Sequence, residues 1–138
     1  MKKRYHFLTV FILLGFIFSS FVHSSPQKLI IGKWELKEVV PVDTGLHPVL
    51  LAINNFFVGI TFEYKKDSIV IAELSKKQSQ MATIESAPAR YYLLKEKKKH
   101  FLVLVEHNHE TKYEVITLNT ETLCYKGSGL TFVLIRQK

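Results

Sequence analysis

The chain has 138 residues, a single Cys and a formal net charge of +7, with 47% hydrophobic and 22% charged residues. One Cys excludes an internal disulfide, so the fold must be held by its core. The length suits one domain.

The first segment, "MKKRYHFLTVFILLGFIFSSFVHSS", has the layout of an export leader. Lys2, Lys3 and Arg4 form a positive start, and Phe7 to Phe21 is an apolar run. Val22 and Ser24 then supply small side chains at the −3 and −1 positions, so cleavage before Ser25 is expected. The polar break at Ser19 and Ser20 favours removal over a retained anchor. Lipid attachment needs a Cys just after the apolar run, and the single Cys, Cys124, lies near the other end, so a lipoprotein is not expected. The expected division is therefore a signal peptide at 1–24 and one domain at 25–138. Cleavage removes three basic and no acidic residues, which lowers the charge from +7 to +4. That balance suits an anionic surface or partner but is no nucleic-acid footprint, and export argues the same way. The Lys-rich chain with its "MKKR" start reads as a bacterial export product, periplasmic or extracellular, that meets the membrane only through its leader.

Strands are expected almost everywhere after the leader. Leu29 to Val40 is a first alternating segment, with Gly32, Trp34 and Leu36 on one face and Lys33, Glu35 and Lys37 on the other. Next comes "LHPVLLAINNFFVG" (46–59), apolar on nearly all sides. Pro48 at a helical start and Gly59 as a stop predict a short helix or ordered loop near 48–57 that covers something. Period-two runs follow at 58–64, 68–74, 80–86, 89–95, 100–106, 112–119, 122–127 and 130–137, separated by polar turns such as "KKD", "EKKK", "HNHET" and "GSG". This spacing predicts an all-β, antiparallel up-and-down meander of eight or nine short strands. Closure into a small barrel would remove its exposed edges.

A barrel end needs a large flat side chain as a floor, and a Gly beside it lets another backbone come close. The Gly32-x-Trp34 pair in the first strand resembles the signature of lipocalins and of compact bacterial lipocalin-like domains. The hairpin "ITFEYKKDSIVIA" and the closing meander "KYEVITLNTETLCYKGSGLTFVLIR" resemble those domains too. The resemblance implies a barrel with one open mouth, and a connection between the first two strands, here "PVDTGLHPVLLAINNFF", that folds over it as a lid.

Candidate ligand-binding residues, for pocket or lid, are Trp34, Leu50, Phe56, Phe57, Phe62, Tyr64, Tyr91 and Tyr125, because aromatic and apolar side chains line small-molecule sites. His107 and His109, with Glu106 and Glu110 beside them, could share a metal ion if strand-like. The reading preferred here is a hairpin turn with Asn108 at its tip, since no further ligand is spaced for a metal. The Lys95 to His100 run, "KEKKKH", reads likewise as a soluble turn rather than an anion grip. There is no nucleophile-elbow motif and no Gly-rich phosphate loop, so neither an enzyme nor a cofactor is expected. Alternation puts Cys124 and Lys126 on the face opposite Leu123 and Tyr125. Two classes remain: a carrier of a small apolar or amphiphilic molecule, or a filled barrel that binds a protein as an inhibitor or immunity factor.

Overall fold

The computed structural model describes residues 24–42, 52, 56–81 and 87–138. The leader up to residue 23, Leu50 and most of the 48–57 segment lie outside the described residues. Eight antiparallel strands close into a barrel in chain order, with the last paired to the first. They are β1 (Gly32–Pro41), β2 (Thr61–Tyr64), β3 (Ile69–Glu73), β4 (Ala89–Glu96), β5 (Lys99–Glu106), β6 (His109–Leu118), β7 (Thr122–Gly127) and β8 (Leu130–Arg136). Among the described residues the helices with both ends in view are α1 (Pro26–Ile30) before β1 and α2 (Lys76–Met81) between β3 and β4, and Phe56 and Phe57 are helical too.

Strand phases follow the expected alternation, with corrections at two segments. Leu29 and Ile30 belong to α1 rather than to the first strand. Pro26 sits in the first turn of that helix, where its fixed φ is already helical and its missing N–H costs nothing. The turn lets Ile30 bury itself against the barrel end. The strand expected at 80–86 is also wrong at its start: Gln80 and Met81 end α2, and 82–86 lie outside the described residues. The signal for a helix was in the sequence, because Ser75-x-x-Gln78 is a capping box. The Ser75 amide donates to Gln78 Oε1 at 2.9 Å, and the Gln78 amide donates to Ser75 Oγ at 3.3 Å. The barrel therefore has eight strands with the 122–127 segment as a full member.

Two bulges set the faces. In β1 the pairing with β8 slips between Leu36 and Glu38, so Lys37 and Glu38 both stay exposed. The inward phase then moves from Trp34 and Leu36 to Val39. In β6 a slip between Val115 and Thr117 throws Ile116 outward, half exposed. The turns at His107–Asn108 and Ser128–Gly129 carry two successive positive φ values, the geometry that matches strand twist in two-residue hairpins.

The barrel has a floor and a mouth. At the floor lie α1 and the turns 65–68, 97–98 and 119–121. At the mouth lie the turns 107–108 and 128–129, the ends of β1 and β3 and the starts of β2 and β4. The wall is thinnest between β3 and β4, which share two paired positions, Ile69↔Arg90 and Val70↔Ala89, where β4 and β5 share seven.

Candidate binding cavity at the barrel mouth

The floor half of the interior is solid. Trp34, Leu102, Leu123 and Leu134 are fully buried there, with Tyr64 almost so. Trp34 Nε1 donates to the Ile30 carbonyl at 2.7 Å, which ties the indole to α1. The Arg136 guanidinium stacks on the Trp34 ring, 4.2 Å from its centroid. Arg136 also donates to the carbonyls of Leu29, of Ile31 (2.8 Å) and of Thr120 (2.7 Å). These bonds occupy carbonyls at the end of α1 and in the β6–β7 turn that no ladder reaches.

Gly32 has a different reason from the one expected. A Cβ there would stand 2.4 Å from Arg136 Nη1, so the glycine makes room for a side chain, not for another backbone. Its φ of +133° independently favours glycine. The signal for Arg136 was the lone Arg closing the last alternating run, "VLIR", and sequence reading missed it.

The rest of the buried interior is rich in phenols. Tyr64 and Tyr91 meet edge to face at 5.0 Å, and Tyr113, Tyr125 and Phe132 form a second ring cluster. The Tyr64 and Tyr125 hydroxyls hydrogen-bond each other, and burial pushes both well above the usual tyrosine range. Tyr91 donates its hydroxyl to the Lys65 carbonyl at 2.7 Å.

The open space is at the mouth. A cavity of about 670 Å³ is walled there by Phe57 and Ile60 before β2, Phe62 of β2, Ala72 and Leu74 at the end of β3, and Ala87 and Pro88 before β4. Arg90, Val105, Glu106, His107 and Asn108 complete the lining. It sits over the part of β3 that continues past its two pairs with β4, so the thin seam and the cavity coincide. A smaller space of about 230 Å³ near the floor lies between α1 and β4, beside Lys66, Ser68, Tyr91 and Leu93.

Gln78 braces the cavity's roof. It is the buried polar side chain of the described core, and its Nε2 donates to the Val58 carbonyl at 3.0 Å and to the Phe56 carbonyl. One amide thus joins α2 to the helical residues Phe56 and Phe57 and the turn that follows them. Gly59 ends that turn at φ +92°, as expected of a stop. Phe56 packs edge-on against Phe57 at 5.4 Å.

The sequence-derived candidates therefore separate. Phe57 and Phe62 line the large cavity, Tyr91 lines the small one, and Trp34, Tyr64 and Tyr125 fill the core instead of lining the mouth cavity. Phe56 contributes its carbonyl and its ring contact to the roof. Leu50 lies outside the described residues. His107 is in the β5–β6 turn on the cavity rim, and His109 opens β6 opposite Glu106. Among the described residues no three His, Cys, Asp or Glu side chains gather as a metal site would require. The Lys95 to His100 run makes the β4–β5 turn, and its Lys99 pairs with Glu114 at 2.8 Å. Cys124 is a half-buried free thiol on the outer face, raised by burial, between the buried Leu123 and Tyr125. Arg90 and Gln78 are site residues that sequence reading did not single out, and Glu106 entered it only as a neighbour of the two histidines.

No protein-family model and no curated protein matches the chain significantly. Two solved structures do. One is a lipocalin-like protein from Bacteroides uniformis, 12% identical, with a TM-score of 0.50 over 79% of this chain and 99% of that one. The other is an uncharacterized protein from Bacteroides eggerthii, 14% identical, with a TM-score of 0.49 over 78% of this chain and 98% of that one. An eight-stranded antiparallel barrel closed in chain order, floored by Trp34 and similar in backbone to a lipocalin-like protein, has a lipocalin-like fold.

Proposed function

We propose that this chain is an exported, non-enzymatic binding protein that holds a small apolar or amphiphilic molecule at the mouth of its barrel. The observation that carries this reading is the cavity of about 670 Å³ under Phe57, inside the range of about 300–1,000 Å³ common to small-molecule sites. Its walls are mainly apolar and its polar groups few, the composition such sites use. Export to the periplasm or beyond rests on the charged start, apolar run and Val22-x-Ser24 pattern of the leader.

The test is ligand retention and probe binding. Native mass spectrometry of the gently purified protein should show a bound small molecule. An apolar fluorescent probe should bind the wild type and bind the Phe57→Ser, Phe62→Ser variant about tenfold more weakly, because two large rings leave the wall. A wild type that binds no probe and carries no ligand would defeat the reading. The packed core that holds Trp34, Tyr64 and Tyr125 favours the second reading, a protein-binding barrel that presents its loops to an enzyme as an inhibitor or immunity factor. That reading would then take first place.

A further inference from the structure

The two ends of the barrel differ in charge. Closure in chain order sends α1 and the β2–β3 and β4–β5 turns to the floor end. Segments far apart in sequence thereby bring their lysines together: Lys28 on α1, Lys65 and Lys66 in the first turn, and Lys95, Lys97 and Lys98 around the second. Lys65 is half-buried and the other five are exposed. None of their ammonium groups pairs with a described carboxylate, whereas Lys33, Lys37, Lys99, Lys112 and Lys126 each reach one. Among the acidic side chains of the floor turns, Glu96 is taken by Lys112, which leaves Asp67 and Glu121 against the six lysines. The mouth end is balanced. Among the described residues there, Lys76, Lys77 and Arg90 stand with Glu73, Glu106 and Glu110. The positive charge of the domain is therefore concentrated at its floor.

We propose that the floor end docks on an anionic lipid surface, with these lysines set among the headgroups and the mouth cavity turned away from the bilayer. The proposal goes beyond the reading of the cavity and does not depend on it. Charge complementarity carries it. A lysine near an anionic bilayer strengthens binding by about fivefold, and lysines gathered on one end act together. Two features favour lipid over a shaped protein partner. The lysines stand on separate segments as hydrated point charges, with no carboxylate fixing their direction, which suits a diffuse planar surface. The expected leader joins the domain at Ser25, immediately before α1, so the floor is the end that export leaves nearest the bilayer. Cleavage at that point adds a protonated α-amino group to the same end.

The experiment is co-sedimentation of the full exported chain with vesicles of about one-third phosphatidylglycerol in phosphatidylcholine, and with phosphatidylcholine alone. At low salt the protein should bind the anionic vesicles and not the neutral ones. Raising salt to about 0.5 M should release it, because the Debye length falls to about 4 Å. Lys97→Gln with Lys98→Gln should weaken binding about twentyfold, the product of two such lysines. Lys76→Gln with Lys77→Gln removes the same charge at the mouth end and should change binding less than about twofold. All four positions are exposed, so both variants should unfold at the wild-type midpoint. Soluble polyglutamate carrying the same anionic charge as the vesicles should leave most of the protein on them. Equal losses in the two variants would assign binding to overall charge and overturn the floor as the docking face. Absence of binding to anionic vesicles at low salt overturns the proposal outright. Complete release by polyglutamate overturns the lipid and puts an acidic polymer or protein in its place.

Discussion

Gly32→Ala should be among the most damaging small substitutions in this protein, and its cost can be worked from the floor geometry. The new Cβ would meet Arg136 Nη1 at 2.4 Å, well inside contact distance. A flexible side-chain end usually yields to such an overlap cheaply. This guanidinium cannot, because it lies on Trp34 and donates to the carbonyls of Leu29, Ile31 and Thr120. Displacing it forfeits charge-assisted bonds worth about 1.5–3 kcal/mol each when intact. The φ of +133° adds strain of about 1–3 kcal/mol for any residue with a side chain. A total of about 3–5 kcal/mol follows if the guanidinium keeps some of its partners. Urea unfolding read by the fluorescence of Trp34, the chain's one tryptophan, should show the midpoint fall by about 2 M or vanish. Arg136→Ala separates the two causes. In the double variant the overlap is gone and the backbone strain remains, so the two single costs should exceed the double by about 2 kcal/mol. Costs that add to within about 0.5 kcal/mol would refute the steric account, and a Gly32→Ala protein as stable as wild type would refute both.

Gln78→Ala should destabilise by about 1–3 kcal/mol, because the Phe56 and Val58 carbonyls and the cap of α2 lose one partner together; limited proteolysis near residue 58 should rise, and unchanged cleavage would argue against the brace. Alkaline pH should unfold the protein through its phenols. Tyr64 and Tyr125 have folded pKa values above the unfolded value near 10, so their stabilising contribution is complete below about pH 10 and is lost as pH rises beyond it. Tyrosinate absorbance of these two should appear only with unfolding, and their ionisation in a still-folded barrel would contradict their burial. Cys124, outward but half-buried and raised by burial, should react with a thiol reagent in the folded state, slowly at neutral pH and faster as pH climbs; labelling that requires denaturant would reverse the face assignment.

Alternation and turn chemistry were enough to read the barrel from the sequence. A strand has period two, so Trp34 with Leu36, Leu102 with Leu104, and Leu123 with Tyr125 announce an inner face without any partner in view. The polar turns announce where each strand reverses, and the 126–129 and 106–110 segments do so through residues that tolerate positive φ. What local pattern cannot supply is height along the barrel axis. Tyr64, Tyr125 and Phe62 are alike as aromatic members of one meander, yet the first two fill the core and Phe62 lines the mouth cavity. Strand stagger decides that, and stagger is a property of the closed sheet. The same holds for the bulges at Lys37 and Ile116, which move the inner face by one residue where the partner strand slips. Gly32 and Arg136, and likewise Gln78 and Phe56, are far apart in the chain and meet only when the barrel closes. The residues that seal the floor and brace the roof were therefore present in the sequence as letters, and closure gave them their work.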